Sequence, residues 1–387
     1  MWLLYILALI PALIGGILLI KNKNISIIEW LIGTGIGLIS AACCHFLFVF
    51  ILTSDHETWS GEIVKVEHHP AWTEQYTEYH SETDKDGNTR TWTTTEHDHH
   101  SEHWLAYRDF GDKSNYREID EQRYLEIKHN FGDNQKTFGK QTSSHGGFCI
   151  SGDDNIYGVN NETDYKYPVT DKFRFVNKIK ASPSLFSYIK VNTNYNVFDY
   201  PENSDWMRSD RLLGTAANFI DIRSFDLLNS RLGPIKKVNV IMIGFIKENQ
   251  DIAQYQEAKW LGGKKNDLVI CFGGGRPKQP ATWAYTFGWT EKDIVKHNIN
   301  SILLSNPIND NILQLIEKEI RKNYMVKDFD KFDYISVSAP TWLYFVFSLL
   351  LVLSQTSLYY WFNKENSGRL TYRSNSYNLR KYNRFTL

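Results

Sequence analysis

"KKVNVIMIGFIKENQDIAQYQEAKWLGGKKNDLVICFGGG", Lys236 to Gly275, changes texture twice within one stretch. KKVNVIMIGFI (236 to 246) is a continuous apolar run, as in a strand covered on both faces. DIAQYQEAKWL then repeats Ile252, Tyr255 and Ala258 at helical spacing behind an Asp251 cap. Gly262 and Gly263 end that helix, because glycine takes the left-handed conformation at least cost. DLVICFG (267 to 273) is the next apolar strand. Strand, helix and strand in that order imply a layered α/β domain.

Working outward, TWAYTFGW (282 to 289) reads as a further strand, and 291 to 304 and 309 to 324 as two helices. Upstream, Asp221 to Leu232 reads as a helix closed by Gly233-Pro234. The domain thus spans 216 to 330, with polar linkers near 201 to 215 and 325 to 335. Its loop has two readings. Lys264 and Lys265 sit where the negative end of a helix favours cations, which is structural. Alternatively Lys264, Lys265, Asn266 and Asp267, with Gly273, Gly274 and Arg276, form a basic, glycine-flanked cradle for an anionic ligand. The spacing is not that of a P-loop.

The sequence of elements, with Tyr255, Trp260, Gly262 to Asn266, Leu268 to Ile270 and the Tyr285 to Trp289 strand, resembles the TPM domain family over about 221 to 325. Asn266 matches the family asparagine, whereas Lys265 stands where an acid is usual and Asp267 where glycine is usual. The resemblance implies a membrane-tethered domain outside the cytoplasm, acting as an assembly or accessory factor. Some family members are credited with phosphatase activity and bound metal, which the lost acid at Lys265 argues against here. The overall arrangement also resembles membrane proteins carried by large tailed bacteriophages.

Between 59 and 200 the chain reads as short strands broken by turn residues, a β-rich module. GEIVKVEHH, REIDEQRYLEIKHNF, DKFRFVNKIKA and SYIKVN are the strand candidates. Within it, 70 to 104 reads as a hairpin arm turning at Asp86-Gly87. A two-residue turn there sets Glu74 opposite His99 and Tyr76 opposite His97, so His97, His99 and Glu74 share a face on which zinc or calcium is the candidate ion. The competing reading is an arm wet on both faces, used for contact with a partner and supported by the Gly61 to His68 strand or by another subunit.

The two ends of the chain place these parts. Residues 1 to 20 carry no charge, 27 to 53 carry only Glu29, and 340 to 362 carry none and end in Tyr-Tyr-Trp. Three transmembrane helices follow, with Gly33, Gly35, Gly37, Ala41 and Ala42 suited to close packing of the first two. No basic stretch precedes the first run and no small-residue cleavage pattern follows it, against a secretory signal. Lys21 and Lys23 lie between the first two spans, and Lys364, Arg369, Arg373, Arg380, Lys381 and Arg384 lie in the tail, 363 to 387. Short basic segments stay cytoplasmic, which places the large central region outside. Without those eight bases and without Glu29 and Glu365, 35 bases face 42 acids between Asp55 and Val337, a poor surface for nucleic acid.

Cys43 and Cys44 belong to the second span, and Cys149 and Cys271 are free to pair or to stay reduced. No Gly-x-Ser-x-Gly elbow and no His-Glu-x-x-His motif occurs. The fold expected is therefore an α+β membrane protein: three transmembrane helices, an external β-rich module with a long hairpin arm, and a TPM-like α/β layered domain. The function expected is a non-catalytic accessory, assembly or interaction factor, integral to the cytoplasmic membrane, with a protein partner or self-association. A metal-dependent, phosphatase-like hydrolase and an oligomeric envelope assembly are the alternatives.

Overall fold

The computed structural model describes residues 9, 12–17, 19–21, 25–143, 145–182, 195–201, 210–246, 249–274, 279–337 and 340–382, with 367–382 as backbone. It is a mixed α+β protein that divides into two compact units. One comprises Met1–Asp55, Phe175–Leu185 and Phe329–Leu387, the other His56–Arg174 and Phe186–Asp328.

In the first unit, helix α1 (Ile27–Thr53) opens on a capping box: Ser26 Oγ accepts from the Glu29 N–H at 3.2 Å, and Glu29 accepts from the Ser26 N–H at 2.8 Å. Alongside runs the C-terminal helix Thr341–Tyr382. Ile27–Thr53 and Thr341–Asn366 are each long and apolar enough to cross a membrane. Both turn large apolar side chains outward, among them Leu31, Phe46, Leu349 and Leu353. Much of the expected first span lies outside the described residues; 12–21 contributes a shorter apolar helix.

The small residues of α1 serve a different neighbour from the one expected. Gly33, Gly37 and Ala41 face the C-terminal helix: a Cβ on Gly33 would stand 2.7 Å from the Tyr359 ring, and one on Gly37 would collide with the Gln355 amide. Tyr359 is fully buried there and donates to the Trp30 carbonyl at 3.2 Å. The C-terminal helix continues to Tyr382, so most of the basic tail is an extension of the same helix.

The second unit begins with nine strands: β1 (Ser54–His69), β2 (Trp72–Thr83), β3 (Thr89–His100), β4 (His103–Asp109), β5 (Ser114–Ile119), β6 (Lys136–Lys140), β7 (Phe148–Gly152), β8 (Asn155–Asn160) and β9 (Pro168–Val176). Six of them form one sheet in the order β5-β4-β1-β8-β6, with β9 also on β1; the others form a three-stranded sheet, β3-β2-β7. Helix α2 (Glu121–Asn130) covers the six-stranded sheet where the sequence reads as strand. Asp120 caps it by accepting the Arg123 N–H at 2.7 Å, and Tyr124 and Ile127, three apart, bury together against Val66, Ala106 and Val159. SYIKVN lies outside the described residues.

The chain continues through β10 (Leu212–Gly214), α3 (Ala216–Phe219), α4 (Ile222–Lys236), β11 (Asn239–Phe245), α5 (Asp251–Lys259), β12 (Asp267–Gly273), β13 (Trp283–Gly288), α6 (Ile294–Ser305) and α7 (Asp310–Asn323). β10, β11 and β12 are parallel and β13 antiparallel. Val240, Met242, Leu268 and Ile270 face α4, α6 and α7, while Ile241, Ile243, Val269 and Cys271 face α5 and the Tyr195–Tyr200 segment. The two parallel crossovers advance the same way yet lie on opposite faces. They have opposite hand, so one departs from the usual right-handed rule.

Two expectations change here. Gly233-Pro234 does not close α4, which runs on to Lys236 and ends at Lys237 with φ 53°. Gly233 is instead a close-approach residue, since a Cβ there would collide with the Ser60 carbonyl on β1. The β-rich module and the α/β layer, separate in the sequence reading, belong to one compact unit.

Candidate functional site

The arm is the first candidate. Its turn is a three-residue loop, not the two-residue turn expected: the Asp84 N–H donates to the Asn88 carbonyl at 3.0 Å and the Gly87 N–H to the Asp84 carbonyl at 3.1 Å, with Gly87 at φ 85°. The Asp84 carboxylate accepts from the Asp86 and Asn88 N–H groups at 2.9 and 2.8 Å, and those backbone donors hold its pKa below the ordinary value. One extra loop residue shifts every pairing by one, so Glu74 lies opposite Asp98, and Thr73 opposite His99.

The expected metal trio is thereby taken apart. His97 and His99 share the exposed face with Thr73, whose hydroxyl lies 3.2 Å from His99 Nδ1. Glu74 is on the other face, fully buried, with Oε1 3.3 Å from His100 Nε2. Neither Glu74 oxygen has a hydrogen-bond partner among the described residues. His100 stacks on Trp72, His145 stacks on Tyr76, and His145 Nε2 lies 3.6 Å from Asp98. Among the described residues no group of three or more His, Cys, Asp or Glu side chains converges to hold zinc, calcium or another ion. Support for the arm comes from β7 on Trp72–Gln75, not from β1, and it stops there. Beyond it the ribbon is open on both faces; Tyr79 is 82% exposed and Trp92 42%.

The second candidate is the Lys264–Asp267 loop. Leu261, Gly262 and Gly263 are all left-handed, at φ 52°, 80° and 85°, so the glycines are there to turn the chain. The turn delivers Asp267 into a closed polar network. Its carboxylate accepts from the Lys264 N–H at 2.7 Å, Asn239 Nδ2 at 2.8 Å and the Tyr200 hydroxyl at 2.9 Å. Burial pushes its pKa above the ordinary 3.8, and those three donors offset part of the rise. Asn266 Nδ2 donates to the Thr58 carbonyl of β1 at 2.6 Å. Nearby, fully buried Arg211 donates to Asp226 at 2.8 Å and to Ser60 of β1 at 2.6 Å. Glu57, also on β1, is 7% exposed; burial raises its pKa, and Lys265 and Lys113 pull it back.

This arrangement is a latch between β1 and the α/β sheet, and most of its polar groups are spent on the protein itself; Asn266 Oδ1 and Arg211 Nε have no hydrogen-bond partner among the described residues. Gly273 and Gly274 do not join it. They end β12 at its far end, about 20 Å from Asp267 at the rise of an extended strand. There Gly273 makes room for the Trp283 ring, and Gly274 turns at φ 70°. Arg276 lies outside the described residues. A recess of about 210 Å³ beside the loop is lined by Gly262, Trp289, Asp293, Lys296 and neighbours. Cys149 and Cys271 are both free, and burial raises the Cys271 thiol.

Sequence reasoning missed Glu57, Tyr200, Arg211, Asp226 and Asn239. Asn239 left a trace, a lone amide at the head of an apolar strand, whereas Arg211 sits in a polar run that reads as linker. It also missed Glu67 on β1, which accepts from Lys65 at 2.7 Å and Tyr107 at 2.6 Å; burial opposes its ionisation, but those donors and His69 leave its pKa lowered. Comparison with protein-family models, with curated proteins and with solved structures finds no match to this chain.

Proposed function

We propose that the protein is a membrane-anchored, non-catalytic assembly or interaction factor that holds its mixed α+β body, with a TPM-like α/β layer, outside the cytoplasm and contacts its partner through the hairpin arm. Two helices long and apolar enough to span a bilayer support the anchoring, and the basic flanks of the spans support the sidedness. The observation that carries the reading is the arm: a ribbon of two 12-residue strands, supported only at its base, with aromatic rings and threonines displayed to solvent. Such a ribbon is marginal in water alone and gains its order from what it meets.

The test is deletion. Replacing 77–95 by a two-residue turn should leave the chain folded and inserted, yet shift it to a smaller species on native gels of solubilised membranes. An unchanged assembly size would overturn the reading.

A further inference from the structure

We infer that the outer edge of β3 docks a second copy of this chain, the two arms joining edge to edge and antiparallel about a twofold axis at Thr94. This deepens the assembly reading, and rests on it in taking the arm as the contact element, by naming the partner.

The backbone supplies the first argument. Asp84 and Asn88 are a hydrogen-bonded pair, and such pairs alternate along an antiparallel ladder. Arg90, Trp92 and the later even residues therefore bond inward to β2. Thr89, Thr91, Thr93, Thr95, His97 and His99 turn their N–H and C=O groups outward. No described strand pairs with that edge. It also has no proline, lysine or bulge, the usual devices that discourage pairing. Its run of threonines suits a pleated neighbour.

Charge chooses the partner and the register. With the axis at Thr94, Arg90 of each copy lies opposite Asp98 of the other on one face. Trp92 then lies opposite Glu96, Thr91 opposite His97, and Thr93 opposite Thr95. Arg90 is the only Lys or Arg in β3, and no like charges meet. The pleat requires self-paired residues at the axis, so the choices are discrete. An axis at Thr95 sets Arg90 against His100 and loses the ion pair. An axis at Thr93 sets it against Glu96 with a shorter overlap. Asp98 already has His145 Nε2 at 3.6 Å, so the incoming guanidinium would share that carboxylate.

The experiment uses the full chain purified in detergent and mildly oxidised, as Thr94→Cys, Thr93→Cys and Thr91→Cys variants beside the unaltered chain, whose own cysteines are the control. Directly opposed Cβ atoms stand about 4.5 to 5.5 Å apart, within reach of a disulfide after small adjustment. Two Thr91 positions would be about 20 Å apart. The expected result is at least tenfold more disulfide-linked dimer from Thr94→Cys than from Thr91→Cys. In the Thr94→Cys background Arg90→Asp should cut the yield about tenfold, and Arg90→Asp with Asp98→Arg should restore it. A maximum at Thr93→Cys, no maximum, or failed rescue by the double swap overturns the inference. If the arm deletion dissolves the native assembly while Thr94→Cys gives no dimer, the arm meets a different protein, and only the self-pairing falls.

Discussion

Asp267 stands where a resemblance-based reading wants glycine, and the structure gives the carboxylate a use that glycine cannot serve. It closes the turn after α5 and ties β12 to Asn239 of β11 and to Tyr200. Asp267→Ala would leave three donors facing a void, at a cost of about 3 kcal/mol. Denaturant unfolding in detergent checks this, and an unshifted midpoint would show the network to be dispensable. Glu57 gives a pH prediction with a definite sign. Its folded pKa is raised above the ordinary 4.5 by burial, so the native state takes up a proton before the unfolded chain does. Its contribution is fully present below pH 4.5 and is lost as pH rises through the raised value. Glu57→Gln, neutral throughout, should therefore gain stability relative to the parent at pH 7 to 8 and lose that advantage as pH falls toward 4.5. A difference between the two proteins that does not vary with pH would show that Glu57 titrates normally.

Elements with a strong period were legible. β11 and β12, apolar after their first residues Asn239 and Asp267, and the helices 294–305 and 310–323 occur where their spacing places them. What stayed hidden depends on contacts far apart in sequence. The stretch around Tyr124 reads as strand because its β-prone residues are visible, while the Asp120 cap and the sheet beneath Ile127 decide for helix. The arm's existence was legible but its register was not, since Asp84 captures an extra residue into the turn through hydrogen bonds that composition does not announce. The site residues followed the same line: Asn266 and Asp267 were singled out, but for a ligand, because Asn266 has its partner on β1 some two hundred residues away and Asp267 has Asn239 and Tyr200 in neighbouring parts of the fold. The α4–β1 contact offers a test at this scale. Gly233→Val would force a side chain into the Ser60 carbonyl, costing roughly 3 kcal/mol at an interface that joins two halves. Tryptophan fluorescence should then report two unfolding steps in place of one; a single step at an unchanged midpoint would mean the halves are not coupled there.

For the whole molecule, the proposed anchoring decides what the body can meet. Two helices are long and apolar enough to cross a bilayer, and a seam of Gly33, Gly37 and Ala41 lets the Tyr359 and Gln355 side chains of the C-terminal helix lie against α1. Small residues at such a crossing admit close backbone approach, where dispersion and hydrogen bonds replace the hydrophobic drive. Gly37→Leu should therefore part the two helices, read as loss of a disulfide engineered between them. Sidedness is the larger claim, and charge alone argues it. Basic residues resist transfer across the membrane, and they cluster between the first two apolar runs and after the last, while acids exceed bases between. In cells carrying Cys149→Ser, a membrane-impermeant maleimide should label Thr89→Cys on the arm without permeabilisation. Lys23→Cys and Lys364→Cys should react only once the membrane is opened. The reverse pattern would put the arm in the cytoplasm, where a partner outside the cell membrane is out of reach; labelling of all three in intact cells would mean that the apolar helices do not cross a bilayer at all.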